Sequence, residues 1–321
     1  MVYKMSNNCN VLVAGATGLI GQACAKHLKS LGYQNIFMPG RLELDLLDTD
    51  AVLQYFSLKN IDVAILAAGQ VGGILKNQKT PMPLISENLK ITLNVAHAAH
   101  ECGCKKVVLF GSSCMYPKHC QQPMAVEKLF SGPMEETSIA YSTSKLASMQ
   151  IGLAFNQQFG KQQFITVIPN STYGPGDNFC PLTGHVLSSL VARFIEAHQN
   201  NLNKITLWGS GRPRREFIFS EDVAKAVIFL LENGIEIPGP AINIGTGIDH
   251  SISELAELIK RLVGYRGKIV WNREKPDGTQ KKLLDSSTIT NHGWQPDIDL
   301  ETGIKITLDW FIKNKKKTRN E

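Results

Sequence analysis

Short apolar runs alternate with segments of helical period through the first half of the chain. Runs at 11–14, 36–38, 63–67, 106–110 and 164–169 lack a polar alternation, so both faces of each predicted strand are covered. Between them, 19–31, 48–59, 84–102 and 141–159 repeat their apolar positions every three to four residues and read as helices. Strand–helix alternation of this kind predicts an α/β fold, a doubly wound parallel sheet with helices on both sides.

Beyond Asn170 the pattern loosens. Gly174-Pro175-Gly176 marks a turn, 185–198 reads as a helix and 205–208 as a strand. Segments 217–219 and 241–244 are expected to return to the parallel sheet. Residues 251–263 and 300–312 are amphipathic, and Ser251 with Glu254 three residues on is a capping-box start.

Composition changes this picture little. The 321 residues are 43% hydrophobic and 19% charged, ordinary for a globular protein. No apolar run approaches the ~20 residues needed to cross a bilayer, so no membrane partner is expected. The first apolar run leads into a glycine loop rather than a signal-peptide core, which points to a cytoplasmic protein. Seven cysteines without regular spacing argue against a disulfide framework, and Cys102-Gly-Cys104 is too tight for a zinc knuckle, so no metal is expected. Of the net charge of +6, four units lie in residues 313–321, which hold five basic side chains and one acidic. A charged terminus is ordinarily a solvated end, and no basic stripe with interleaved aromatics marks the rest; nucleic acid is not an expected partner.

Gly15-Ala16-Thr17-Gly18-Leu19-Ile20-Gly21 joins the first strand to the first helix. Glycines let a backbone approach a pyrophosphate, and the helix start offers unpaired N–H groups and a partial positive charge. The loop thus predicts a dinucleotide site in a Rossmann-type sheet, although such turns also merely join strand to helix. The second strand is followed by Arg41 and has no carboxylate before Glu43. Arginine suits a ribose 2′-phosphate, so NADP(H) is favoured over NAD, the alternative being a solvated arginine. Asp45 and Asp48 fall where an adenine-contacting loop would run; Asp48 is equally a candidate helix cap.

Tyr141 and Lys145 lie one helical turn apart and share a face. An ammonium beside a phenol favours the phenolate and should lower the tyrosine's pKa, making it a usable proton carrier. Ser112 or Ser113 at the mouth of the fourth strand can bond the same substrate oxygen. Cys114, two residues on, reads on residue physics alone as a buried small hydrophobe more readily than as a reactive thiol.

These residues resemble the extended short-chain dehydrogenase/reductases that act on nucleotide sugars. The resemblance continues through Val71 to Ile74, Gly111 to Lys118, Tyr173-Gly174-Pro175, Asp177-Asn178-Phe179, His185, Trp208 to Gly211, Arg215-Glu216-Phe217, Asn243 to Gly247, Lys275 to Thr279 and Lys282 to Asp285. It runs in order over nearly the whole chain. It implies a Rossmann-type domain over 1–175, with 215–247 returning to it, and a smaller C-terminal α/β substrate domain over 176–214 and 248–321. It implies a homodimer formed by the 84–102 and 141–159 helices. It also implies NADPH-dependent 3,5-epimerisation and 4-reduction of a GDP-linked 4-keto-6-deoxy sugar, GDP-4-keto-6-deoxy-D-mannose. Ser112, Tyr141 and Lys145 would form the reductase set, Cys114 the epimerising base and His185 the acid. The cofactor would contact 15–21, Arg41, Asp45, Asp48, Lys145, Pro169, Asn170, Ser171, Thr172 and His185. The substrate would meet Ser113, Arg193, Trp208, Arg215, Asp277 and Lys282; Trp208 alone could be core packing and Arg193 an exposed helix face.

Three positions depart from the family pattern. Thr17 replaces an arginine that helps hold the 2′-phosphate, Ser171 an asparagine, and Gln70 a lysine. The last two border the expected sugar pocket, which keeps a colitose or heptose precursor open as the substrate. A chain of another class, a dinucleotide-sensing regulator without chemistry, would have no need of Tyr141, Lys145, Ser112 and Cys114 together.

Overall fold

Val11, Leu12, Val13 and Ala14 are all buried, yet they do not share a core. Val11 and Val13 pack with Val63, Ile65, Val108 and Val167 in one cluster. Leu12 and Ala14 pack with Ala64, Leu66, Val107 and Leu109 in another. Successive side chains leave a strand on opposite sides, so an unbroken apolar run is what a sheet covered on both faces requires.

The computed structural model describes residues 3–181, 183–275 and 277–314. The chain runs through β1 (Val11–Ala14), α1 (Leu19–Ser30), β2 (Ile36–Phe37), α2 (Thr49–Lys59) and β3 (Val63–Leu66). Next come α3 (Ile74–Lys79), α4 (Pro81–Glu101), β4 (Lys106–Phe110), α5 (Ile139–Phe159) and β5 (Phe164–Pro169). The second half holds β6 (Ser171–Tyr173), α6 (Val186–Gln199), β7 (Lys204–Trp208), β8 (Arg214–Phe219), α7 (Ser220–Asn233) and β9 (Ile242–Ile244). It ends with β10 (Asp249–Ser251), α8 (Ile252–Val263), β11 (Lys268–Asn272), β12 (Lys281–Lys282), α9 (Ser287–Asn291) and α10 (Leu300–Asn314).

Six parallel strands form the main sheet in the order β2-β1-β3-β4-β5-β9. This is a Rossmann-type doubly wound sheet. The strand order reverses between β1 and β3, and the crevice at the carboxyl ends of those strands is where such sheets bind ligands. Helices α1 and α7 supply one face's cover through Ala23, Cys24, Leu28, Val223, Val227 and Leu231. On the other face lie α2, α4 and α5, with Phe56, Val95 and Ile151. A third core joins α6, α8 and α10 to Leu207, Phe217 and Phe219, under two small sheets: β7 with β11, and β8 with β6, β10 and β12.

The pattern anticipated the main-sheet elements to within a few residues, and three differences matter. Residues 217–219 do not return to the parallel sheet: β8 pairs with β6, β10 and β12 instead, and the chain re-enters through α7 and β9. Helix α4 starts at Pro81 rather than 84, because a proline in the first turn lacks only an N–H that has no helical partner. Helix α7 and the short strands β6, β10, β11 and β12 were not anticipated. The basic tail beyond Asn314 lies outside the described residues. Among the described residues, no helix is long and apolar enough to cross a membrane.

Gly152 brings α5 onto the sheet. A Cβ there would lie 2.9 Å from the Phe164 Cβ and 3.1 Å from Leu109 Cδ1. Gly152→Val gains roughly 0.5 kcal/mol of helix propensity and is expected to lose about 1–3 kcal/mol to overpacking. The urea midpoint should therefore fall; an unchanged midpoint would show that α5 can lift off the sheet freely.

Candidate active site

The glycine loop is built by contact. Gly15 has a φ of +83°, and a Cβ on it would lie 2.6 Å from the Ala68 nitrogen, so the loops after β1 and β3 touch at the crevice. A Cβ on Gly21 would lie 2.2 Å from the Gly15 carbonyl oxygen. Gly18 precedes α1 without a side-chain cap, and the first turn holds no acidic residue. Ala16 and Ile20 pack back on the core, Leu19 is half-buried and Thr17 is exposed. This leaves a bare helix start, which fits a dinucleotide pyrophosphate. Arg41, exposed beyond β2, has its guanidinium 3.9 Å from Asp45. Asp45 also accepts from the Leu47 N–H at 3.1 Å, while Asp48 caps α2 by accepting from Ala51 at 3.0 Å. The Asp48 carboxylate is thus occupied as a helix cap.

At the end of β4 the chain turns through one 3-10 turn, Ser113–Met115. Ser112 caps it, accepting from the Cys114 N–H at 3.3 Å. Ser113 is buried. Cys114 is half-buried, and the Lys282 ammonium, brought in by β12, donates to its Sγ at 3.3 Å. Burial pushes the Cys114 thiol up, but the charge of Lys282 and hydrogen bonds from Ser112, Lys282 and Ser138 together bring it below its ordinary value.

Tyr141 and Lys145 stand in the first two turns of α5, with the ammonium 5.7 Å from the phenol ring centre. The expected lowering of the Tyr141 pKa is not what the structure gives. Burial and the neighbouring Cys114 push it up, against one hydrogen bond with Ser112. Burial brings Lys145 down to about 8. A buried ammonium is itself costly, so it cannot offset the phenol's desolvation. The hydroxyl is held protonated, as a donor.

His185 caps α6 with half of its side-chain surface open, its Nδ1 lying 3.4 Å from Asp177 Oδ1. The hydrogen bond with Asp177 raises the imidazole pKa against burial, and the charges of Asp177 and Cys114 add to the rise. Cys114 is therefore within electrostatic reach of both Tyr141 and His185.

The remaining expected residues divide. Arg215 on β8 is buried enough to be pushed down, and is held up by the charges of Cys114 and Asp277. Trp208 is exposed, with the Lys275 ammonium 5.5 Å from its ring centre, and so is not core packing. Nearby, Ser210, Arg212, Arg273, Lys275, Asp277 and Gln280 line an open cavity of about 430 Å³. Asp277 turns its carboxylate to the Ser210 N–H (2.6 Å) and hydroxyl (2.7 Å), shaping that loop. The Arg193 guanidinium donates to the Thr206 carbonyl, tying α6 to β7. Lys282 reaches the thiol rather than that cavity. Asn170 is buried, donating to Glu216 at 2.5 Å and to the Lys282 carbonyl at 3.3 Å, so its amide is turned from the crevice. Pro169 ends β5, and Ser171 and Thr172 are half-buried on β6.

Sequence reasoning missed Ser138, Asp177 and Ser188 as parts of the site, and Glu216 as the buried anchor beneath it. A carboxylate eight residues before His185 was the available signal for Asp177; nothing local marked the others. Among the described residues, no group of three His, Cys, Asp or Glu side chains could hold a metal ion.

Taken together, a bare helix start, a Tyr–Lys–Ser set and a neighbouring thiol and imidazole can bind a dinucleotide, move a proton at a carbonyl oxygen and move protons at the adjacent carbons. Residues 11–245 match the model of the NAD dependent epimerase/dehydratase family. The chain belongs to that family. Within the family it is similar to a GDP-L-fucose synthase of Escherichia coli K12, 40% identical over 316 residues, covering 96% of this chain and 98% of the relative. Among solved structures it is similar to a GDP-6-OMe-4-keto-L-xylo-heptose reductase from C. jejuni, with a TM-score of 0.91, 32% identity and coverage of 97% and 99%. A GDP-L-fucose synthetase from Naegleria fowleri, bound to NADP, superposes with a TM-score of 0.88 at 29% identity, covering 98% and 95%.

The Lys282–Cys114 contact makes a direct prediction. Lys282→Met should move the pH midpoint of Cys114 alkylation by iodoacetamide upward by about one unit, with Cys114→Ser subtracting the other thiols. An unmoved midpoint would show that the ammonium does not act on the thiol.

Proposed function

We propose that this protein is an NADPH-dependent enzyme that epimerises C3 and C5 of GDP-4-keto-6-deoxy-D-mannose and then reduces C4, forming GDP-L-fucose. One observation carries the reading: beside the Tyr141–Lys145 pair stand a thiol held by a cation and an imidazole held by a carboxylate. A plain carbonyl reductase needs neither.

The C4 ketone of such a sugar acidifies the protons at C3 and C5. The Cys114 thiolate takes one of them, and the negative charge moves onto O4, where the Tyr141 and Ser112 hydroxyls stabilise it. His185, as imidazolium, delivers a proton to the opposite face of the same carbon, leaving thiol and imidazole neutral. Proton exchange with solvent resets them before the second carbon. NADPH supplies a hydride to C4 when bound. Tyr141 then gives its proton to O4, and Lys145 supports the resulting phenolate; a phenol held protonated by its surroundings suits that task. The glycine loop would hold the pyrophosphate and Arg41 the 2′-phosphate. Trp208 and Arg215 would border the GDP moiety, the arginine matching diphosphate oxygens with its planar fork of donors. Residues 1–175 with 215–247 would form the NADP unit, and the rest the unit for the GDP-sugar.

A reductase acting on a GDP-linked keto-heptose is the second reading. It is favoured by the likeness to the C. jejuni enzyme and by Gln70 and Ser171 at the expected sugar pocket.

Incubation with GDP-4-keto-6-deoxymannose and NADPH in ²H₂O should yield GDP-L-fucose labelled at C3 and C5, and Cys114→Ser should abolish the label. A product that keeps the manno configuration would sink the epimerase half, and a higher kcat/KM for a keto-heptose would select the second reading. Separately, Arg41→Ala should raise KM for NADPH about tenfold, the worth of one charge-assisted hydrogen bond, while leaving KM for NADH unchanged. Equal effects on both would acquit Arg41 of reading the phosphate.

A further inference from the structure

We propose that Asp177 is a positioning residue for His185: its buried carboxylate grips the Nδ1 edge of the imidazole and leaves Nε2 to carry the proton delivered to the sugar. This rests on the epimerase reading above and deepens it.

The geometry is specific. Only 4% of the Asp177 side chain is exposed, against 50% of the His185 side chain. Its Oδ1 lies 3.4 Å from His185 Nδ1 and accepts the Asn178 N–H at 2.8 Å. Its Oδ2 accepts the hydroxyl of Ser188, which is fully buried in the first turn of α6. One carboxylate thus fastens both the helix start and the imidazole of the residue at its N-cap position. Gly184 donates to the Cys180 carbonyl at 2.8 Å, and a Cβ on Gly184 would lie 2.3 Å from the Asn178 carbonyl oxygen. Phe179 anchors the same segment, stacking on Phe311 of α10 with ring centres 4.5 Å apart.

Electrostatics make the carboxylate necessary. The start of a helix carries a partial positive charge that opposes a cation there, and α6 has no acidic residue in its own first turn. An imidazole at that position would by itself be a poor proton holder. Asp177 from the preceding loop and Cys114 from across the cleft are the titratable groups that act on it, and both favour the imidazolium. A serine hydroxyl and a backbone N–H hold the carboxylate in place.

The test is a histidine NMR titration of the whole protein, with the His185 resonance assigned by its loss in His185→Gln. It needs no sugar substrate, so it stands or falls separately from the proposed function. In the wild-type protein the His185 midpoint should lie above the ordinary ~6.5. Asp177→Asn should lower it by about one unit or more, and Asp177→Glu should restore part of the shift. In the deuterium assay Asp177→Asn should cut C3 and C5 labelling at least tenfold, with the loss greatest at high pH. A wild-type midpoint at or below 6.5 overturns the proposal even if the variant does not fold. So does a folded Asp177→Asn protein whose midpoint does not move.

Discussion

A single carboxylate with no solvent access, that of Glu216, binds four stretches of chain to one another. It accepts from the Asn170 amide at the end of β5, from Gly247 at 2.7 Å in the loop after β9, and from Leu284 at 3.0 Å beyond β12. The fourth stretch is β8, its own. Burial pushes its pKa up, and these donors pull against that. A buried charge deprived of a partner costs about 3–5 kcal/mol, so the four stretches are held to one arrangement. Gly245 shows how closely they meet, since a Cβ there would lie 2.3 Å from Glu216 Oε1. Side chains alternate along a strand; with Glu216 turned inward, Arg215 faces the thiol. Register does the rest: Lys282 pairs beside Arg215, two residues before Leu284. The cation that reaches Cys114 stands where an anion in the core has put it.

The reactive centre has a polarity of its own. A cation leans on a thiol, an anion leans on an imidazole, and a phenol held neutral stands within reach of the thiol. Each partner biases its group toward the charged form that proton transfer begins from, so little rearrangement of charge is needed when a substrate arrives. Electrostatic preorganisation of this kind is where enzymes gain most of their rate. Tyr141 stays protonated beside a lysine first because it is buried, and the neighbouring Cys114 adds to the rise.

The sequence made the main sheet legible because its strands carry an unambiguous signal: Val11 to Ala14 and Lys106 to Phe110 are buried on both faces. Gly15 and Gly21 were legible because their spacing reflects a contact no larger residue could make. The second half was harder to read. Strands β6, β10 and β12 are two or three residues long, too short to show a period, and β8 was misplaced because its sheet is selected by Glu216, a contact between segments far apart in sequence. The roles of Asn170 and Lys282 depend on the same long-range pairing. Tyr141 and Lys145 share a face because they share a helix, so their placement was readable. Their charge states were not, because desolvation belongs to the assembled pocket.

The Cys114–Lys282 contact spans 168 residues of chain. A nascent polypeptide emerging from the ribosome therefore carries an ordinary, sluggish thiol through most of its synthesis. The cation that favours its thiolate arrives when the final quarter folds against the earlier strands. Maturation of the sulfur's reactivity is in this way timed by completion of the fold.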